Sequence, residues 1–421
     1  MNTNQNPTTS AQPPADPAGP RRVEVTRIDG AYRLTVDGAE FFVRGAGGSG
    51  QRMEGLAAHG ANSIRTWSTN NGTAVLDAAQ KAGLMVLMGI RVGLERHGFD
   101  YDDEAAVAEQ LDRITGEVLG LKDHPALLGW GIGNELNLNA TNPAVWSAVN
   151  DIARRIHDVD GNHPATTMLA GIRKATVDDI RERTPDLDFL SVQMYGSVGS
   201  AKEMIAAAGY DGPYLITEWG ATGHWEVPST EWGAPVEQTS SEKADAIVER
   251  YRKAIDGDPE RCMGSYVFLW GQKQERTPTW YGLFTEDGRE TEAIDAMHFL
   301  WSGAWPDHRA PRLTGIAIDG KGRYDSVRLS ASAKVTATIE TTAKPGAGIE
   351  VRAEVLPEAT EVGEGGDFEP RPAPVPGLIA HASPDGVEFT APDKPGAYRL
   401  FVLIHDEHGH AATANLPFYV E

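Results

Sequence analysis

Cysteine is nearly missing: Cys262 is the only one in 421 residues. That excludes an intrachain disulfide and a cysteine-built metal cluster. Its setting, Arg261-Cys262-Met263-Gly264 ahead of an apolar run, reads as buried filler rather than a reactive thiol. No run reaches the ~20 apolar residues that a membrane-crossing helix needs. Met1 to Pro20 is polar, rich in Asn, Thr and Pro, and has no apolar h-region, so no secretory signal is expected there. Location stays open between cytoplasmic and, if a signal has been removed, secreted or periplasmic. Positive charge is scarce as well: 38 Lys and Arg against 60 Asp and Glu leave a formal charge of −22. Nucleic acid and anionic membrane surfaces would repel such a chain, so neither is expected as a partner. A neutral or cationic small partner fits better, and oligomeric state is left open.

What is present describes an ordinary globular protein, 40% apolar and 23% charged, and longer than one hydrophobic core usually serves. Residues 1–20 lack the apolar content to fold and read as a disordered leader. Residues 21–40 alternate apolar and polar on either side of Asp29-Gly30, a hairpin signal, with a second turn at Asp37-Gly38. From 41 to 307 strand and helix patterns alternate. Strand candidates are Phe41–Arg44, Asn62–Thr66, Leu84–Ile90, Leu127–Ile132, Ala165–Leu169, Phe189–Met194, Tyr214–Thr217 and Ser265–Leu269. Between them Val107, Leu111, Ile114 and Val118 share one helical face, as do Val145, Val149, Ile152 and Ile156. Gly83 stands where a helix over Thr73 to Ala82 should stop, and a last helix is expected over Glu292 to Trp301. Eight β/α repeats over about 260 residues predict a (β/α)8 TIM barrel. Residues 311–421 carry short alternating runs split by Pro-, Gly- and Glu-rich loops, which predicts a C-terminal all-β, immunoglobulin-like sandwich. Glu358 to Pro376 is expected to be a solvated loop.

Two glutamates close predicted barrel strands. Glu135 follows Leu127-Leu128-Gly129-Trp130-Gly131-Ile132-Gly133-Asn134 on the fourth strand, and Glu218 ends Tyr214-Leu215-Ile216-Thr217 on the seventh. In a barrel the strand C-termini carry the chemistry, and strands four and seven face each other across the mouth. A pair of carboxyl groups in one pocket is what glycosidic cleavage uses, one as proton donor and one as nucleophile or base. Asn134 is placed to donate to a sugar 2-hydroxyl, a contact that tightens in an oxocarbenium-like transition state. Trp67, Trp219, Trp225, Trp232, Trp280 and Tyr281 fall at or after strand C-termini, where rings can stack on sugar faces. The long segment Ala221–Thr239 has the length of a binding loop.

Gly133-Asn134-Glu135 together with Thr217-Glu218-Trp219-Gly220 resembles the clan A glycoside hydrolases, retaining enzymes on a (β/α)8 barrel. The run His124–Glu135 is close to the barrel domain of family 2 in that clan, over about residues 39–305 of this chain. The resemblance implies Glu135 as acid/base and Glu218 as nucleophile. It implies Arg65 on strand two and Tyr195 on strand six as partners of the nucleophile, and Trp270 at strand eight as an aromatic floor. Gln193 stands where some clan members place a His, and the N-terminal sandwich domains of family 2 are missing. The expectation is a cofactor-free retaining β-glycosidase acting on β-linked oligo- or polysaccharide. Transglycosylation with the same two glutamates is the alternative, as is a non-catalytic carbohydrate-binding protein.

Three other patterns read more simply. Gly45-Ala46-Gly47-Gly48-Ser49-Gly50 satisfies a dinucleotide fingerprint, but Arg65-Thr66-Trp67 stands where that motif wants an acid. The glycines are expected to give a sugar room near the backbone or to make a tight turn. Asp100, Asp102, Asp103 and Glu104 suit a helix N-terminus. His405, His408 and His410 suit a strand turn better than a metal site.

Overall fold

The computed structural model describes residues 19–344, 346 and 348–421. The expected leader thus lies outside the described residues except for Gly19 and Pro20. The chain divides into two compact units, one running to Trp219 and taking in Arg252–Val267, the other made of Gly220–Tyr251 with Phe268–Glu421.

The first unit opens with β1 (Val23–Ile28), β2 (Ala31–Val36) and β3 (Ala39–Glu40), an antiparallel meander. Its turns put Asp29 and Gly30 at φ 51° and 84°, and Asp37 and Gly38 at 51° and 80°, the left-handed pair that tight hairpins need. Eight parallel strands follow: β4 (Val43–Gly47), β5 (Ser63–Arg65), β6 (Met85–Ile90), β7 (Leu127–Asn134), β8 (Ala165–Ala170), β9 (Phe189–Gln193), β10 (Tyr214–Trp219) and β11 (Cys262–Val267). They close into a barrel in chain order, β11 returning to β4. The helices α1 (Met53–Ala58), α2 (Gly72–Ala82), α3 (Glu104–Leu121), α4 (Ala144–Val159), α5 (Lys174–Arg183) and α6 (Ala201–Ala207) lie between them in sequence, and α7 (Ser240–Ala254), most of which falls in the second unit, precedes β11. This is the predicted (β/α)8 barrel.

Local chemistry explains the helix ends. Gly83 caps α2 at φ 73°, and the Asp103 carboxylate caps α3 by accepting from the amides of Ala105 and Ala106. On α3 the buried face is Gln110, Ile114, Val118 and Leu121, whereas Val107 and Leu111 are half-buried. Gln110 is tolerated inside because its side-chain oxygen accepts from the amide of Gly93.

One end of the barrel is sealed by hydrophobic packing. Val23, Leu34 and Val36 of the meander share a core with Val43, Met85, Leu87, Leu128, Phe189, Leu215 and Met263, residues in the first halves of the strands. Each such side chain contributes about 1.5–3 kcal/mol when fully buried. The meander thereby stoppers the N-terminal end and leaves the strand C-termini to carry polar groups. Cys262, the first residue of β11, is 1% exposed, and burial pushes its thiol up to about 12.

Two expected strands shift. The first runs Val43–Gly47 rather than Phe41–Arg44, and the last Cys262–Val267 rather than Ser265–Leu269. The glycines at 45 and 47, read as loop, are strand residues at a close approach. A Cβ on Gly45 would sit 2.5 Å from the Tyr266 ring, and one on Gly47 would sit 3.0 Å from the Trp67 ring. These glycines make room for side chains.

The second unit contains β12 (Glu290–Thr291), α8 (Glu292–Ser302), β13 (Leu313–Ile318), β14 (Val327–Leu329), β15 (Lys334–Thr341), β16 (Glu350–Pro357), β17 (Ile379–Ser383), β18 (Gly386–Thr390), β19 (Gly396–His405) and β20 (His410–Val420). One sheet runs β12-β20-β19-β16, with β14 beside β20, and the other β13-β15-β18-β17. Ile316, Ala337, Val387 and Phe389 from the second sheet pack with Val355, Leu400, Val402, Leu416 and Phe418 from the first. Glu237 and Lys243 form a buried ion pair in this unit. The Glu237 carboxylate also accepts from Thr277, Thr279 and Asn415. Burial works against its charge, but the Lys243 ammonium and these donors hold it below the usual carboxylate range.

The segment Glu358 to Pro376 has no regular structure, as expected, but it is not simply solvated. Glu369 is 2% exposed and accepts from the Arg276 guanidinium, the Arg276 amide and the Gly363 amide. His408 and His410 belong to a turn in which Asp406 accepts from both their amides and from the His410 ring. Among the described residues no three His, Cys, Asp or Glu side chains gather as a metal site, and no helix is long and apolar enough to cross a membrane.

Candidate active site

The polar centre of the first unit is the Glu218 carboxylate, 5% exposed, near the C-terminal end of β10. It receives donors from two other strand ends, those of β5 and β9. Arg65, the last residue of β5, donates from Nη1 to Oε1 at 2.7 Å and also to the Thr217 carbonyl at 3.1 Å. Gln193, the last residue of β9, donates from Nε2 to Oε1 at 3.0 Å and to Asn134 Oδ1 at 2.8 Å. Tyr195, two residues past β9, donates its hydroxyl to Oε2 at 2.9 Å. Trp67, two residues past β5, donates its indole N–H to Oε1 at 2.8 Å. Asn134, the last residue of β7, accepts from Arg65 Nη2 as well as from Gln193. Six predicted site residues from four strands thus form one connected network.

The barrel backbone sets this convergence. Parallel pairing places Gly47 opposite Arg65, Ala170 opposite Gln193, and Gln193 opposite Glu218, so these side chains share one rim. Both acid-bearing strands break register just before the rim: β10 between Ile216 and Glu218, β7 between Gly131 and Asn134. Such irregularities re-aim side chains at the end of a strand. Glu135 follows directly, with φ 53°, its amide held by the Met168 carbonyl and its own carbonyl accepting from Leu138. A left-handed conformation is uncommon for glutamate and is sustained here by those two hydrogen bonds.

Electrostatically the centre is one buried ion pair. The Arg65 and Glu218 side chains are 1% and 7% exposed. Desolvation of two such charges is offset only when geometry is good and the remaining polar atoms are bonded. Here the further donors to Glu218 and the acceptors at Thr217 and Asn134 go most of the way to meeting that condition, while the buried Arg65 Nε has no hydrogen-bond partner.

The remaining predicted residues sit as follows. Trp219, the last residue of β10, is completely buried. Trp270 belongs to the second unit, where its ring meets Phe284 edge-on at 5.0 Å. Trp67, expected to offer its ring to a sugar, instead uses its N–H on Glu218, and the Arg65 guanidinium lies 5.1 Å from its ring centroid. Composition and spacing give no signal for that contact, because a tryptophan past a strand end reads equally well as a stacking platform. Of the loop aromatics, Trp225 is 60% exposed while Trp280 is buried and donates to the Thr222 carbonyl.

No protein-family model matches the chain, and no curated protein matches it in sequence. Solved structures do match. β-Glucuronidase 2 of Bacteroides uniformis, covalently bound to cyclophellitol-6-carboxylate aziridine, is similar over 95% of this chain and 48% of its own, with 13% identity and a TM-score of 0.52. Bifidobacterium dentium β-glucuronidase complexed with coumarin-3-O-glucuronide is similar over 68% of this chain and 50% of its own, at 18% identity and a TM-score of 0.54. The β-glucuronidase of Ruminococcus gnavus, in complex with a C6-substituted uronic isofagomine, gives 67% and 52%, 14% identity and a TM-score of 0.52. The chain spans about half the length of these structures. Its fold is therefore the one these β-glucuronidases share, a (β/α)8 barrel of the kind found in the clan A glycoside hydrolases that its motifs resemble.

Proposed function

We propose that this chain is a retaining β-glycosidase, with Glu218 as nucleophile and Glu135 as acid/base. The observation that carries the reading is the Glu218 carboxylate at the rim of a closed barrel, held by donors from four side chains, with Glu135 one residue beyond the Asn134 that belongs to its network. A structural ion pair needs one partner; this carboxylate has donors from Arg65, Trp67, Gln193 and Tyr195. In the proposed reaction Glu218 attacks the anomeric carbon while Glu135 protonates the departing oxygen, and Glu135 then takes a proton from the water that releases the sugar. Asn134 would donate to the sugar 2-hydroxyl. The covalent adduct of the Bacteroides uniformis β-glucuronidase 2 structure supports a covalent route on this fold. Residues 41–307 would form the catalytic barrel and 311–421 an immunoglobulin-like accessory sandwich, a reading favoured by two antiparallel-rich sheets over one apolar core.

The test is a panel of 4-nitrophenyl β-glucoside, β-galactoside, β-mannoside and β-glucuronide. Turnover of at least one is expected, with Glu218→Ala and Glu135→Ala each inactive and still folded by circular dichroism. Proton NMR of a fresh digest should show the β anomer first. Wild-type rates in either variant, or an initial α anomer, would overturn the assignment.

A further inference from the structure

The two oxygens of Glu218 are not equivalent. Oε1 accepts from Arg65 Nη1 at 2.7 Å, Trp67 Nε1 at 2.8 Å and Gln193 Nε2 at 3.0 Å. Oε2 accepts from the Tyr195 hydroxyl at 2.9 Å. A carboxylate oxygen has about two lone-pair sites, so Oε1 is fully engaged and Oε2 keeps a pair for bond formation. We infer that Trp67 is a positioning residue: its indole N–H completes the hold on Oε1, fixes the carboxylate rotation and leaves Oε2 as the attacking atom. This rests on the proposed glycosidase reading and adds a residue to it.

The packing around Trp67 supports the assignment. Arg65 lies 5.1 Å from its ring centroid on one side, and Gly47 leaves the space into which a Cβ would reach within 3.0 Å of the ring. Nearby, a Cβ on Gly89 would come within 2.7 Å of the Trp67 Cα. The indole is confined by its neighbours, so its N–H direction is set before any sugar arrives.

The chemistry follows with electrons in balance. Oε2 donates a pair to the anomeric carbon as the glycosidic C–O bond breaks, and the departing oxygen takes the Glu135 proton. The carboxylate becomes an ester whose carbonyl oxygen is Oε1, still facing three N–H groups. When water displaces the sugar, the electron pair returns to the carboxylate and the same donors stabilise its growing charge. Trp67 therefore assists both halves of the reaction.

The experiment compares wild type with Trp67→Phe and Trp67→Ala on whichever 4-nitrophenyl β-glycoside the wild type turns over. Loss of a hydrogen bond to a charged group corresponds to roughly ten- to hundred-fold in rate. Trp67→Phe keeps the ring and loses the donor, so kcat should fall by about that factor with KM little changed. Intact-protein mass spectrometry with the matching 2,4-dinitrophenyl 2-deoxy-2-fluoro-β-glycoside should show glycosyl-enzyme forming more slowly by a similar factor. Full kcat in Trp67→Phe, together with a raised KM in Trp67→Ala, would make Trp67 a stacking surface and overturn the inference while the glycosidase reading stood. A wild type inert to the whole panel, or an active Glu218→Ala, would sink both.

Discussion

Replacing Arg65 with methionine removes one half of an ion pair whose side chains are 1% and 7% exposed. At an effective dielectric near 20, two unit charges about 4 Å apart attract by about 4 kcal/mol, and breaking a buried pair costs about 3–5 kcal/mol. Asn134 keeps Gln193 as a donor, whereas the Thr217 carbonyl loses its 3.1 Å contact with Arg65, which adds to the penalty. Glu218→Gln is milder, about 2–3 kcal/mol, because an amide oxygen can still accept from the guanidinium. With both substitutions no charge is left buried alone, so the double variant should lose at least about 2 kcal/mol less than the sum of the single losses. Urea unfolding of the four proteins, followed by far-UV circular dichroism, measures each term. Additivity within about 0.5 kcal/mol would refute the claim that the two charges stabilise each other across this rim.

Other outcomes follow from groups away from the site. Lys243→Met should cost about 3–5 kcal/mol near neutral pH by stranding the Glu237 charge. The Glu237 carboxyl is held below its usual range, so the stability it supplies is present above that range and is lost as pH falls through it; the gap to wild type in urea midpoints should narrow in acid. Asp295 behaves oppositely, since burial raises it from 3.8 to about 6, a difference worth roughly 3 kcal/mol. Its folded form holds the proton more tightly, so its contribution is complete in acid and is lost as pH rises through about 6. Asp295→Asn, which can still accept from the Ala310 amide, should raise the melting temperature at neutral pH and leave it unchanged near pH ~4. Cys262 should resist a thiol reagent in the folded protein and react on addition of urea; rapid labelling without denaturant would contradict its burial.

Most of the barrel was readable because its strands are short apolar runs ended by glycine, proline or polar residues. Where reading failed, glycine was the cause: Gly45 and Gly47 look like loop, yet they lie inside β4 against Tyr266 and Trp67. In the second unit β17 is hard to read from sequence, being largely half-exposed with no clear apolar face. At the site Glu135, Glu218 and Asn134 stand out in the sequence as residues closing apolar strands, whereas Arg65, Gln193 and Tyr195 are singled out only through the resemblance to the clan A enzymes. The Trp67 contact is not legible there, because sequence position does not say whether an indole presents its face or its edge. Glu369 was missed for a related reason. Within a Pro-, Gly- and Glu-rich stretch one more glutamate looks solvated, and only Arg276, distant in sequence, reveals that it is an anchor.

The glycines of β4 also constrain how this protein can be made hardier. Exchanging glycine for alanine at a compatible position ordinarily adds about 0.4–1 kcal/mol by restricting the unfolded chain. At 45 and 47 the added methyl would press on Tyr266 and on the indole beside Glu218. Thermal tolerance and the alignment of the carboxylate compete at these two places, so gains sought for industrial or structural use belong on helix surfaces and outer loops.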